Sequence, residues 1–383
     1  MSRSIGVDPT VQRLRALAAQ GGQPAAMASA PTVSTGVNNA ATTIPVGSTE
    51  YAWNSGNFNL LGGDWSSALG GTWPNNNAST GRTATWSTGT TYNANWYGGG
   101  LAVVECVCTG RYFEPKIAQI SSRWRLVVDG EYVTLPVYTS GGVYRTLIDF
   151  GSAASRTIRL ESISSQAADV KFMGASCEST ATITATATPA DRLLIVGDSF
   201  MGTVGLSDPA FAAGGLAYPI SKELGFSDYW NSYIGGTGWE QAGVAPDKFN
   251  LDDRWTTDVV GADPTVAIIA VGLNDVNDGN DAAIEVMVAA KLDELRTAAP
   301  NCLVHVFGPY DVNAPGAPQT GFAGLQTALS NACAGKAKVW FHSLEGIAYT
   351  KSDATHPNTA GYATLHPVMY NKIAAIHGLH TVA

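Results

Sequence analysis

Ser199 closes a run of apolar residues in "LLIVGDSFMG", Leu193 to Gly202. A serine hydroxyl is a weak nucleophile unless a base takes its proton. "SDATHPN" near the C-terminus supplies the residue types for that task. His356 can act as the general base, and Asp353 can hold its second ring nitrogen and stabilise the imidazolium. Only two residues separate them, so both side chains can turn to one site. Attack on an acyl carbon also needs donors for the developing oxyanion. The candidates are the N–H of Ser199, the N–H of Gly236 in "NSYIGGTGW" and the side chain of Asn274 in "VGLND". Each motif alone has a plainer meaning. A glycine often marks a turn, an Asn-Asp pair often caps a helix, and Gly-Asp-Ser arises by chance. Together, in this order, they describe an acyl-transfer site.

Such a site needs elements that end side by side. From about Thr186 to Ala383 the sequence alternates strand and helix patterns. Strands are expected at Leu193–Val196, Tyr229–Ile234, Val266–Val271, Leu303–Phe307 and Val339–His342. In "DAAIEVMVAAKLDELRTAA", Ile284, Val288, Leu292 and Leu295 follow helical spacing. This alternation predicts a parallel sheet covered on both faces. In such sheets ligands bind at the carboxyl ends of the strands, where Ser199, Gly236 and Asn274 all fall.

The four blocks resemble those of the SGNH hydrolases, also called the GDSL esterase/lipase family. Gly197-Asp198-Ser199 is similar to the first block and Gly236 to the second. Gly272-Leu273-Asn274-Asp275 is similar to the third, and Asp353-Ala354-Thr355-His356 to the last. Tyr233 stands where the second block has its first glycine, so the donor is Gly235 or Gly236, and spacing from Asn231 favours Gly236. The resemblance covers the C-terminal half and implies a flavodoxin-like α/β fold. It also implies Ser199 as nucleophile, with Ser199 N–H, Gly236 N–H and Asn274 as the oxyanion hole. The chain lacks the Gly-x-Ser-x-Gly elbow of α/β-hydrolases, because Met201 replaces its last glycine.

Residues of about 49–185 read as a β-sandwich, jelly-roll-like, with "RWRLVVDGEYVTL" as a hairpin turning at Asp129-Gly130. Trp124, Leu126 and Val128 share one of its faces. Trp53, Trp65, Trp73, Trp86 and Trp96 are either packing residues or a surface for stacking sugars. The order of sandwich and hydrolase resembles carbohydrate esterases that remove acetyl groups from polysaccharides. Residues 1–48 read as an arm and linker. Asp8 caps a short helix, Pro9 sits in its first turn, Gly21-Gly22 ends it, and Val11, Leu14, Leu17 and Ala18 fall on one side. This helix either packs on the body or docks on a partner.

The chain of 383 residues carries a net charge of −9, with no basic cluster to bind nucleic acid or an anionic membrane. No stretch approaches the length of a spanning helix. Arg13 and Arg15 interrupt the early apolar residues, so no signal peptide is expected. The reading is therefore a cytoplasmic or virion-associated protein, as in phage tails, where the arm would serve self-association or virion docking. The five cysteines read as buried thiols, although Cys106 or Cys108 could reach Cys177. His377 and His380 lack the neighbours of a metal site, so neither metal nor cofactor is expected. Trp239, Tyr310 and Asp311 follow strands and either line a pocket or pack. The function expected is a serine esterase releasing acetate from a carbohydrate or small ester. A lipase or thioesterase on longer chains is the enzymatic alternative, and an inert carbohydrate-binding or tail protein the non-enzymatic one.

Overall fold

The computed structural model describes residues 8–34, 37–38, 41–62, 64–68, 71–75, 101–119, 123–134, 142–163, 170–202, 215–242 and 250–383. It divides into one unit formed by residues 1–23 and 191–383 and another formed by residues 24–190.

The first unit holds a parallel sheet with the spatial order Asp228–Tyr233, Arg192–Gly197, Val266–Ala270, Leu303–Phe307, Val339–His342. In chain order this is 2-1-3-4-5, the flavodoxin-like arrangement. The three inner strands are almost wholly buried, as their unbroken apolar runs require of strands covered on both faces. One face packs in a core with Leu194, Val196, Ala267, Ile269, Val304 and Val306, closed by Ile284, Val288, Leu292 and Leu295 of the Asp281–Ala298 helix. Each such buried side chain contributes about 1.5–3 kcal/mol of transfer free energy. The order reverses beside the Arg192–Gly197 strand, so the turns after it and after its two neighbours surround one crevice.

The N-terminal helix, Pro9–Ala18, starts as expected. The Asp8 carboxylate accepts the N–H of Thr10 at 2.8 Å. Of its two sequence alternatives, packing on the body is the one observed. Leu14 and Ala18 are buried, Arg15 Nε donates to the carbonyl of His377 at 2.6 Å, and Asp8 pairs with Lys338. A helix this short is marginal alone. Leu17 meets the chain at Gly225, whose φ of 78° and lack of a side chain permit the approach. The segment after it is not a free linker. Thr32–Val33 pairs with Ile148–Asp149, Val37–Asn38 pairs with Gly142–Arg145, and Met27 packs on the core of the second unit.

That second unit consists of antiparallel sheets sharing one apolar core. One is built around Tyr112–Gln119 and Val170–Glu178, the other around Leu101–Cys108, Arg156–Ile163 and Arg123–Val128. The hairpin turn falls at Asp129 and Gly130, both with positive φ, as a two-residue turn of this hand demands. Leu126 and Val128 face the core as expected; the side chain of Trp124 lies outside the described residues. Trp53 is half-buried against the core, whereas Trp86, Trp96 and the side chains of Trp65 and Trp73 lie outside the described residues.

His377, weighed above beside His380, lies in a buried chain of imidazoles. His342 Nε2 meets His305 Nδ1 at 2.9 Å, and His305 Nε2 meets His377 Nε2 at 3.0 Å. Each contact needs one donor and one acceptor, so no two adjoining rings are both doubly protonated. Burial lowers the pKa of His305 and holds those of His342 and His377 at about 4, with Lys372 near His342 and Arg15 near His377 adding to the effect. His380 is exposed instead, beside Tyr370 and Glu223. Between pH 6.5 and about 4 the unfolded chain binds protons at these rings that the folded chain does not, so their contribution to stability falls as pH falls. The buried Asp198, raised to about 7, acts in the opposite sense. The diagnostic quantity is therefore a difference. His342→Gln should flatten the fall in Tm from pH 6.5 to 4.5 relative to the wild type, measured by calorimetry.

Candidate active site

The turn that carries Ser199 is set by close packing. After the Arg192–Gly197 strand the chain turns through Asp198 to Gly202, with Met201 N–H on the Asp198 carbonyl at 3.1 Å and Gly202 N–H on the Ser199 carbonyl at 3.2 Å. A Cβ on Gly197 would lie 2.2 Å from Met201 Cγ, so only glycine fits. Asn231, from the neighbouring strand, donates to the Met201 carbonyl at 2.9 Å and ties the turn to the sheet. Arg254 braces the same strand ends. It donates to the Ser232 carbonyl and hydroxyl and to Asp258, and its other nitrogen reaches the Gly197 carbonyl at 3.4 Å. Ser199 emerges half-buried.

His356 Nε2 lies 2.8 Å from Ser199 Oγ, and its Nδ1 lies 2.8 Å from Asp353 Oδ2. With Nδ1 protonated, His356 donates to Asp353 and accepts from Ser199. Asp353 Oδ1 also accepts the N–H groups of Thr355 and His356, each at 2.7 Å. These donors and the imidazole hold its carboxyl at about 2, although the side chain is half exposed. Asp353 thus stays ionised throughout the working range. Its loop is closed by Ser352 N–H on the His356 carbonyl and by Asn358, which also caps the Thr359–His377 helix through Gly361 N–H. Phe200, buried, stacks on Tyr310 at 4.0 Å and sits 5.8 Å from the His356 ring, forming a wall beneath the base.

Asn274 follows the Val266–Ala270 strand. Gly272, at φ 138°, turns the chain into a short helical turn, Leu273–Asp275. Asn274 Nδ2 donates to the Thr237 carbonyl at 2.8 Å. A carboxamide has two N–H donors, so this bond fixes the group and leaves one donor. The loop it holds carries Gly235 and Gly236. A Cβ on Gly235 would lie 3.6 Å from that of Ser199, and Gly236 is exposed with φ 77°. The loop therefore passes beside Ser199 at Gly235.

Asp275 has a role that spacing alone does not reveal. Its carboxylate accepts the N–H groups of Trp239, Glu240 and Gln241 at 2.7, 3.1 and 2.9 Å. Asn274 and Asp275 together clamp residues 237–241. Burial raises the pKa of Asp275 while the three N–H groups oppose the rise. Asp198 is also buried; Phe200 N–H donates to its Oδ1 at 3.0 Å, and burial raises its pKa to about 7. Trp239, Tyr310 and Asp311 are packing residues. All are buried, and their polar atoms bond to the Val271 carbonyl, to Met369 sulfur, and to the Asn313 and Gly346 N–H groups respectively. Among the described residues no group of three or more His, Cys, Asp or Glu side chains is arranged to hold a metal.

Residues 195–364 match the sequence model of the GDSL-like Lipase/Acylhydrolase family. No curated protein sequence matches the chain. Among solved structures, the chain is similar to a family two carbohydrate esterase from Cellvibrio japonicus, with TM-score 0.63 and 14% identity over 86% of this chain and 98% of that one. It is also similar to an acetyl xylan esterase from the rumen bacterium Butyrivibrio proteoclasticus, with TM-score 0.58 and 16% identity over 87% and 100%. A salicylyl-acyltransferase from a tetracycline biosynthetic pathway gives TM-score 0.64 and 12% identity over 86% and 97%. At these identities the likeness is one of fold. The resemblance to SGNH hydrolases read from the four blocks is shown by the family match.

Removing one oxyanion donor costs about 10²–10³ in kcat in such sites. Asn274→Ala should lower kcat on an activated ester by that order with KM nearly unchanged, read from steady-state kinetics. An effect confined to KM would remove Asn274 from the oxyanion hole.

Proposed function

We propose that this chain, whose residues 195–364 carry the GDSL-like lipase/acylhydrolase pattern, is a serine ester hydrolase that removes acetyl groups from a carbohydrate. The observation that carries the reading is the unbroken hydrogen-bond chain from Asp353 through His356 to Ser199. In the proposed reaction His356 Nε2 takes the Ser199 proton as Oγ attacks the ester carbonyl carbon. The negative charge on the carbonyl oxygen is met by Ser199 N–H, Gly236 N–H and the remaining donor of Asn274. The imidazolium, stabilised by ionised Asp353, then protonates the leaving alkoxide, and an acyl-serine remains. Water, deprotonated by the same imidazole, attacks this ester and releases the acid. The reaction draws on these side chains and backbone groups alone.

The substrate class has separate support. Similar structures include a family two carbohydrate esterase from Clostridium thermocellum in complex with cellohexaose, besides the acetyl xylan esterase. The antiparallel unit that precedes the hydrolase, read as a jelly-roll-like sandwich, matches the expected order of such enzymes. A small acyl group suits a nucleophile backed by packed aromatic rings, Phe200, Tyr310 and Tyr349.

The test compares p-nitrophenyl acetate with p-nitrophenyl octanoate, with acetylated xylan as the polymer, in wild type and Ser199→Ala. Turnover of acetate over octanoate, acetate release from the polymer, and loss of both in the variant are expected. Preference for octanoate would move the reading to a lipase or thioesterase. Equal rates in wild type and variant would end the enzymatic reading.

A further inference from the structure

The loop that carries Asp353 and His356 is closed at its base and held at its tip by different groups. At the base, Asn358 N–H donates to the Thr350 carbonyl at 3.1 Å, the Thr350 hydroxyl donates to Asn358 Oδ1 at 2.6 Å, and Lys351 pairs with Pro357. These bonds set the width of the loop, not the lean of its tip toward Ser199. The tip is reached by Tyr349, the residue just before the loop. Its hydroxyl donates to the Thr355 carbonyl at 3.1 Å. Its ring is buried and meets Phe200 edge-on, with centroids 5.9 Å apart and planes at 87°. Tyr349 therefore touches both the residue after Ser199 and the residue before His356.

The Thr355 carbonyl belongs to the peptide group that ends in the His356 N–H, and this N–H donates to Asp353 Oδ1 at 2.7 Å. One peptide plane is thus held at both ends, by a phenol on its oxygen and a carboxylate on its N–H. The plane is rigid and adjoins the His356 Cα, so its tilt sets the direction in which the imidazole leaves the backbone. Polarisation acts in the same sense, since a donor on the carbonyl strengthens the N–H as a donor to Asp353. Burial, with the carboxyls of Asp198, Asp311 and Asp353 adding to it, pushes the Tyr349 phenol up, so the hydroxyl keeps its proton and remains a donor.

We propose that Tyr349 is a positioning residue for ester hydrolysis, its hydroxyl holding the Thr355–His356 peptide plane so that His356 Nε2 stays within hydrogen-bond reach of Ser199. The role rests on the esterase reading, because it is exercised through the general base. The phenol bonds to the backbone beside His356 and not to the reacting atoms. Without its hydroxyl the plane keeps one of its two anchors. A misplacement of about 1 Å at a catalytic group can cost about 10² in rate.

The experiment is a double-mutant cycle on the full-length protein, with Tyr349→Phe, His356→Gln and the pair, and Ser199→Ala run beside them. Tyr349→Phe keeps the ring against Phe200. It should lower kcat on p-nitrophenyl acetate by about 10- to 100-fold with KM within about twofold of wild type. Its Tm should stay within about 5 °C of wild type. The second readout is the rate at which a fluorophosphonate labels Ser199, which needs no turnover. Tyr349→Phe should slow labelling when His356 is present and leave the residual rate unaltered in His356→Gln, where no imidazole remains to be positioned. An equal fractional loss in both backgrounds would show that the phenol supports the fold or the Ser199 turn rather than the base, and would overturn the proposal. Wild-type kcat in Tyr349→Phe, or a change confined to KM, would overturn it as well while leaving the esterase reading intact. Equal hydrolysis by wild type and Ser199→Ala would bring down the esterase reading, and the positioning role with it.

Discussion

A serine hydroxyl loses its proton at neutral pH only to a base already within hydrogen-bond reach, and here that base lies 157 residues further along the chain. The turns and loops that carry the two side chains bring them to 2.8 Å. Ser199 is delivered by a turn too tight for any side chain at Gly197. His356 is delivered by a loop that Asp353 folds around itself through two backbone N–H groups before it touches the imidazole. The carboxylate therefore does two things at once: it builds the loop and orients the base.

The proposed oxyanion side is fixed in the same manner. Two adjacent residues, Asn274 and Asp275, bond to the loop that passes Ser199, one through a single donor and the other through three acceptor contacts. A donor aimed before the reaction begins needs no reorganisation when charge develops. The buried Arg254–Asp258 pair plays a related part, since it grips the ends of two strands just before the turns that carry Ser199 and Gly235. Breaking such a pair leaves an unpaired buried charge, which costs about 3–5 kcal/mol, so it also resists loosening of these turns.

Much of this was legible in the residues. The sheet strands follow from unbroken apolar runs, because a strand buried on both faces can carry little else. The long helix follows from Ile284, Val288, Leu292 and Leu295, all now buried. Ser199 is a polar group placed just past an apolar run, whereas Asp353 and His356 stand in a polar loop more than ten residues beyond the last strand. What the sequence hid depends on long-range pairing. The Ala- and Thr-rich stretch after Gly22 reads as a linker because its edge strands are two residues long and only pairing with Ile148–Asp149 and Gly142–Arg145 defines them. Asp275 looks like half of a cap until the Trp239–Gln241 loop folds onto it. Trp239, Tyr310 and Asp311 follow strands as pocket residues do, yet their polar atoms are consumed inside the core.

The central claim is that Ser199 is a nucleophile activated by His356. The most direct test is labelling of the folded protein by a fluorophosphonate, followed by intact mass and peptide mapping. One adduct on Ser199 is predicted, formed at least about 100-fold more slowly in His356→Gln. An adduct on another residue, or equal labelling rates in the two proteins, would contradict the account.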